Sequence, residues 1–315
     1  MSATPTSSSI LSSATSSSSV DPNNSYGYTP NSTVGVVFTA LFAVTTFVHF
    51  IQMLKYRMWW LLPTVLLGGA GEIIGWVGRL WSSFNVDARD PYMMQIVCTI
   101  IAPTPFIAAI FITFGRLVGK LGDRYSWLPP LYYGRIFLAC DIMSLVIQAA
   151  GGGIAASANT TSDQNLGGNI MLAGIVIQMV ALFLFMILAT QFFISFLNNS
   201  PVRGPYDSPD GSLATLSDTR PWDDKLKFLS AGLAFISGVL MIRAVYRTIE
   251  LADGWTGPVI THQVYFVIFD GGMVIAAMLT LNVCHPGRLL FNRPEWIDGE
   301  KQMYRESAET EESLA

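Results

Sequence analysis

Seven apolar runs recur along the chain, at about 34–54, 59–81, 92–119, 136–157, 169–197, 228–250 and 264–284, each parted from the next by a polar or charged connection. A helix needs about 20 apolar residues to cross about 30 Å of hydrocarbon, so each run has the length of a membrane-spanning helix. The pattern predicts an all-α fold: a polytopic membrane protein built as a seven-transmembrane-helix bundle over residues 34–290. No second domain and no internal repeat interrupts it.

The flanks differ in kind. Residues 1–33 are dominated by Ser, Thr, Pro and Asn and carry no Lys or Arg, which predicts a disordered tail with no signal-peptide core. Residues 291–315 form a charged tail. Lys and Arg gather in the connections after the first, third and fifth runs and in the C-terminal tail, whereas only Arg89 lies in a connection on the other side. By the positive-inside rule the N-terminus is outside and the C-terminus cytosolic. That orientation makes Asn23, Asn31 and Asn159, each in an N-x-[ST] sequon, candidates for glycosylation. The connection at about 198–227 reads as a mobile cytosolic loop.

Composition agrees with the membrane reading: 51% of the 315 residues are apolar and 13% charged, with a net charge of −4. No basic groove suggests a nucleic acid, and that class is excluded. Cys98, Cys140 and Cys284 show no metal spacing and read as packing residues. No cofactor and no metal is expected. The three histidines are scattered, no G-x-S-x-G or H-x-x-x-H occurs, and the chain is expected not to be an enzyme.

What remains are ionisable residues inside the apolar runs. Each costs at least about 2.5–3.5 kcal/mol to insert at the middle of a membrane, so each needs a partner, water or a route to the interface. Glu72 and Arg79 share a face of the second run but lie about 10.5 Å apart along it, too far to pair. Arg243, Arg247 and Glu250 share a face of the sixth run, with Arg247 and Glu250 spaced to form a local pair. Asp270 descends from the outer side of the seventh. These six are expected to meet in one buried polar cluster near the outer leaflet. Asp141 and Gln148, seven apart in the fourth run and followed by Gly151-Gly152-Gly153, would mark the other end of a polar path. Pro103 and Pro105 remove two backbone donors in the third run and should kink or break it, a candidate hinge. Gly68, Gly71, Gly75 and Gly78 make a small-residue stripe for close helix contact. His49, Gln52, Gln178 and Asn282 read as interhelical hydrogen-bonding residues, and His285 as an interfacial residue with no special role.

The same residues carry a resemblance. Gly71-Glu72-Ile73-Ile74-Gly75-Trp76-Val77-Gly78-Arg79 resembles the E-x-x-G-[YW]-x-x-R segment of the fungal lipid-translocating exporters, RTA-like membrane proteins named for resistance to aminocholesterol. Ala102-Pro103 through Gly115-Arg116 is similar to that family's third span, and Asp141, Gln148 and Gly151-Gly152-Gly153 to its fourth. Arg243, Arg247, Glu250, Gly254, Asp270 and His285-Pro286-Gly287 are similar to the remainder. One position departs: Gln263 stands where the family usually has Glu.

The resemblance implies export or translocation of sphingoid long-chain bases, resistance to toxic amphiphiles and, in one branch, porphyrin traffic, with the plasma membrane as the place. Two readings stand. One is a translocator of an amphiphilic small molecule through membrane lipids, with Glu72, Asp141 and Asp270 as counter-charges. The other is a seven-helix lipid sensor acting through a cytosolic protein partner. No phosphate-binding loop is present, so any uphill step would draw on an ion gradient or another protein.

Overall fold

The computed structural model describes residues 26–203, 222–255 and 257–290. Asn23, most of the Ser/Thr-rich segment and the tail 291–315 lie outside the described residues. Seven described helices are long and apolar enough to cross a membrane: α1 Ser32–Tyr56, α2 Trp59–Phe84, α3 Arg89–Leu121, α4 Pro130–Ser157, α5 Thr161–Leu197, α6 Asp224–Ala252 and α7 Gln263–Leu289. No strand occurs among the described residues. The chain is an all-α integral membrane protein.

The helices outrun the apolar runs at several ends. The start of α4 comes at 130 rather than about 136, that of α5 at 161 rather than about 169, and α7 ends at 289 rather than about 284. Hydropathy detects only the lipid-facing length, whereas a helix continues into water wherever it is capped. For α5 the Thr160 side chain is the cap, accepting the Asp163 N–H. With 37 residues, α5 is about 56 Å long and overshoots the hydrocarbon.

Consecutive helices pack side by side and α7 returns to α1, closing a ring in which α3 also touches α6 and is the most buried of the seven. Tight packing comes from glycine. A Cβ on Gly68 would lie 2.7 Å from the Ala102 carbonyl oxygen, and one on Gly75 would lie 2.6 Å from Thr99 Cγ2, so the stripe on α2 seats α3. On the triple glycine, Gly151 admits the α5 backbone at Met171 and Gly152 admits Val97 of α3, while Gly153 faces open space.

Three helices are irregular. The α3 ladder stops at Ile101, with the Ala102 N–H still bonded to the Cys98 carbonyl, and restarts at Pro103. Both prolines then sit in the first turn of the new segment, where a missing N–H is least costly. Wide, π-helical turns occur at Leu62–Leu66 of α2 and Phe266–Gly272 of α7.

We call the end of the bundle where α1 begins the N-end and the opposite one the C-end. Between α3, α4 and α5 the C-end half is filled by aromatic rings, among them Phe111, Phe114, Tyr133, Phe137, Phe185 and Phe192. The N-end is closed by residues 26–31, which the sequence pattern assigned to the tail. Tyr26 is buried there, 3% exposed, against Tyr92. A single aromatic flanked by polar residues gives no periodic signal, which is why the pattern missed it.

Candidate functional site

Arg243, Arg247 and Glu250 recur every three or four residues along α6, so one face of that helix presents all three to the bundle interior. Each is buried: 6%, 1% and 2% exposed. None reaches for the interface as a long side chain near a helix end can. Opposite them the wide turn of α7 inserts an extra residue per turn and turns Asp270 inward, a common use of such turns at functional positions.

The resulting network is closely bonded. Arg247 donates from Nε to Asp270 Oδ1 at 2.7 Å and from Nη2 to Asp270 Oδ2 at 2.5 Å. Its Nη1 donates to Glu250 Oε2 at 2.7 Å and its Nη2 also reaches Thr99 Oγ1 at 2.7 Å. Arg243 Nε lies 2.9 Å from Asp270 Oδ1, and its Nη2 donates to the Thr99 carbonyl oxygen. Tyr246 donates to the remaining Glu250 oxygen at 2.8 Å. Thr99 was not singled out in the sequence; the structure places it against Gly75 of the glycine stripe.

Glu72 lies in the field of Asp270, Arg243 and Arg247 but has no ion pair with any of them. It is 1% exposed, and neither carboxyl oxygen makes a hydrogen bond. The Trp76 indole N–H, one turn on, does not meet hydrogen-bond geometry with it. Three carboxyl groups thus face two guanidinium groups, and one acid is without a partner.

Arg79, expected in the same cluster, stands apart from it. The Phe266 ring lies between the two, 4.6 Å from the Arg79 guanidinium and 5.1 Å from that of Arg247. Arg79 donates instead to Gln95 Oε1 at 3.1 Å and to the Tyr28 hydroxyl at 2.9 Å, ringed by Tyr26, Tyr28 and Trp76. Tyr26 donates its hydroxyl hydrogen to Gln95 Oε1 at 2.8 Å, its oxygen lies 2.9 Å from Ser82 Oγ, and burial pushes its phenol up to about 12. Phe266 belongs to the same wide turn of α7 that carries Asp270.

On α4 the buried stripe runs Tyr133, Phe137, Asp141, Ser144, Gln148, Gly151 and Ala155, aromatic at the C-end, polar in the middle and small at the N-end. Both Asp141 oxygens, Ser144 Oγ and Gln148 Oε1 are buried without a hydrogen-bond partner. Gln148 donates to Gln178 Oε1 of α5 at 3.1 Å, and Thr104, beside Pro103 and Pro105, donates to the same oxygen at 3.4 Å. Gln178 then shares a small cavity with Arg243 and Arg247, about 10 Å³ and close to the room one water needs. Gln178 is thus the one residue of the α4–α5 polar group that lines a cavity with the two arginines.

Elsewhere the polar residues hold helices together. His49 contacts the Met278 carbonyl oxygen at 3.1 Å, Gln52 donates to the Asn282 carbonyl oxygen at 2.9 Å and Asn282 donates to Thr45 at 2.5 Å, a zipper between α1 and α7. His285 is buried and accepts the Gly287 N–H, starting the last short turn. Gln263 accepts the Asn31 N–H at 3.2 Å, and Asn31 Oδ1 caps α1, so that sequon asparagine is engaged in the fold. Asn159 is exposed at the N-end. Cys98, Cys140 and Cys284 are free thiols, and the described residues hold no His, Cys, Asp and Glu grouping suited to a metal.

Comparison with known proteins follows the same outline. The family model described as RTA1 like protein matches residues 65–293. The sphingoid long-chain base transporter RSB1 of Saccharomyces cerevisiae (strain Lalvin EC1118 / Prise de mousse) is 32% identical over 286 residues, 83% of this chain and 73% of the relative. Protoporphyrin uptake protein 1 of Saccharomyces cerevisiae (strain ATCC 204508 / S288c) is 25% identical, covering 82% of this chain and 90% of its own. Protein RTM1 of Saccharomyces cerevisiae is 26% identical, covering 81% and 89%. No solved structure matches. Sequence, buried polar residues and matched length agree, and the chain belongs to the RTA1-like family of fungal membrane proteins.

Proposed function

We propose that the protein translocates amphiphiles with a cationic head, sphingoid long-chain bases or molecules like them, between the faces of a membrane. The observation that carries this reading is Glu72: a carboxyl group buried beside a closed network of Arg243, Arg247, Glu250 and Asp270, so that with Glu72 the group holds one acid more than it has bases. A buried acid without a partner is costly, and an ammonium entering the bundle would supply the missing charge. A relative named for sphingoid long-chain base transport supports the same class of cargo, and relatives named for transport or uptake support carriage rather than catalysis.

Asp141, Gln148 and the cavity beside Gln178 supply the rest of a polar route, with the break at Pro103 and Pro105 as the place where α3 flexes. In the present conformation the gap has room for about one water, so it corresponds to a closed state. The N-end faces outward and the membrane is the plasma membrane in this reading; the basic residues of the C-end and the exposed Asn159 support that direction.

Purified protein in phosphatidylcholine vesicles, loaded with a fluorescent long-chain base and assayed leaflet by leaflet, tests it. Exchange well above that of empty vesicles, with or without a proton gradient, is the expected result. Exchange equal to that of empty vesicles under both conditions removes translocation.

A further inference from the structure

We propose that Ser144, Gln148 and Gln178 form a subsite that reads hydroxyl groups on the cargo head, so that the protein selects amino alcohols over plain long-chain amines; this rests on the charge-cluster reading above.

Ser144, Gln148 and Gln178 each keep a buried polar atom without a hydrogen bond. Membrane helices normally satisfy their hydroxyls locally, and Thr113, Ser230, Ser237 and Thr280 here return theirs to the carbonyl one turn back. Ser144 does not, although it is fully buried. Gln148 and Gln178 are bonded to each other by one amide hydrogen bond, which leaves Gln148 Oε1 and Gln178 Nε2 without partners. Turning either amide over moves the free atoms but cannot remove them, because two amides joined by one bond always leave a donor and an acceptor. The polar contacts between α1 and α7 also leave atoms unmet, His49 Nδ1, Gln52 Oε1 and Asn282 Oδ1, but none of those residues lines the cavity that Gln178 shares with Arg243 and Arg247.

The arrangement is also built rather than left over. Gly174 of α5 gives Gln148 its place: a Cβ there would lie 2.7 Å from Gln148 Cγ. Gln178 lines the same cavity as Arg243 and Arg247, so a head whose ammonium lies near Glu72 would carry its hydroxyls toward the two amides as the gap widens. A hydroxyl both donates and accepts, and it matches a site that offers one of each. A plain alkylammonium would leave those atoms unmet, and sites of that kind discriminate strongly.

Vesicles holding the full-length protein would be given fluorescent sphinganine or a fluorescent octadecylamine without hydroxyls. The wild type is expected to move sphinganine roughly tenfold faster, the scale of one well-made buried hydrogen bond. Gln178→Leu and, as a smaller change, Ser144→Ala are expected to bring the ratio of the two rates toward one. Equal rates in the wild type, as water-filled amides would give, overturn the subsite and leave the charge cluster standing. Variants that slow both amines by the same factor also overturn it, since they assign these residues to packing. A wild type that moves neither amine overturns the charge-cluster reading, and the subsite with it.

Discussion

Arg247 holds Asp270 through two nitrogens, at 2.7 and 2.5 Å, while its third nitrogen holds Glu250 at 2.7 Å. One guanidinium therefore joins α6 to the wide turn of α7 and to its own helix end. Asp270→Asn breaks this junction, leaving Arg243 without an ion pair and Arg247 with Glu250 alone. Removing one partner of a buried ion pair costs about 3–5 kcal/mol. A marked fall in the melting temperature of Asp270→Asn in detergent is expected. An unchanged melting temperature would mean the network contributes little to the fold.

The triple glycine offers a paired test. A Cβ on Gly151 would lie 2.6 Å from the Met171 backbone nitrogen, whereas Gly153 meets nothing within 4 Å. Gly153→Ala is expected to be neutral or to stabilise by up to about 1 kcal/mol through helix propensity. Gly151→Ala is expected to destabilise by forcing α4 from α5. Thermal unfolding of the two variants checks the order, and equal effects would contradict the packing described.

Tyr26 gives a pH dependence outside the membrane. Desolvation pushes its phenol from the ordinary value near 10 up to about 12. Its folded value lies above its unfolded one, so its contribution to closing the N-end is complete below about pH 10 and is lost as the pH rises through about 12. The phenolate absorbance of wild type minus Tyr26→Phe should titrate near 12. A midpoint near 10 would place Tyr26 in water.

How far these relationships were visible beforehand depended on whether a residue's partner is set by helix period or by a distortion of the helix. Glu72, Arg243, Arg247, Glu250, Asp141 and Gln148 stand out because charge and amide within an apolar run are costly wherever they point. Periodicity also placed Arg247 beside Glu250. The wide turn at Phe266–Gly272 has no comparable signature, so the meeting of Asp270 with both arginines followed from depth alone and the screening of Arg79 by Phe266 did not follow at all. Ser144 and Thr99 were silent because a hydroxyl in a helix ordinarily satisfies itself. Tyr26 and Tyr28 were silent because they precede the first helix.

The zipper between α1 and α7 is structural in this account. Asn282→Leu removes its hydrogen bond to Thr45, and a loss of about 1–2 kcal/mol is the scale for such contacts. Lower stability with an unchanged sphinganine-to-octadecylamine rate ratio is expected. A changed ratio would draw α1 and α7 into cargo selection.

In the proposed mechanism Glu72 is the vacant counter-charge for a cationic head. Glu72→Gln keeps the shape of the side chain and removes the charge without breaking an ion pair, so the variant should fold at least as well as the wild type. Leaflet-resolved flux of a fluorescent long-chain base through vesicles holding each protein is the direct measurement. The expected result is loss of most of the flux in a Glu72→Gln protein whose melting temperature is unchanged or raised. Flux equal to that of the wild type would show that the buried carboxyl group takes no part in carrying the cation.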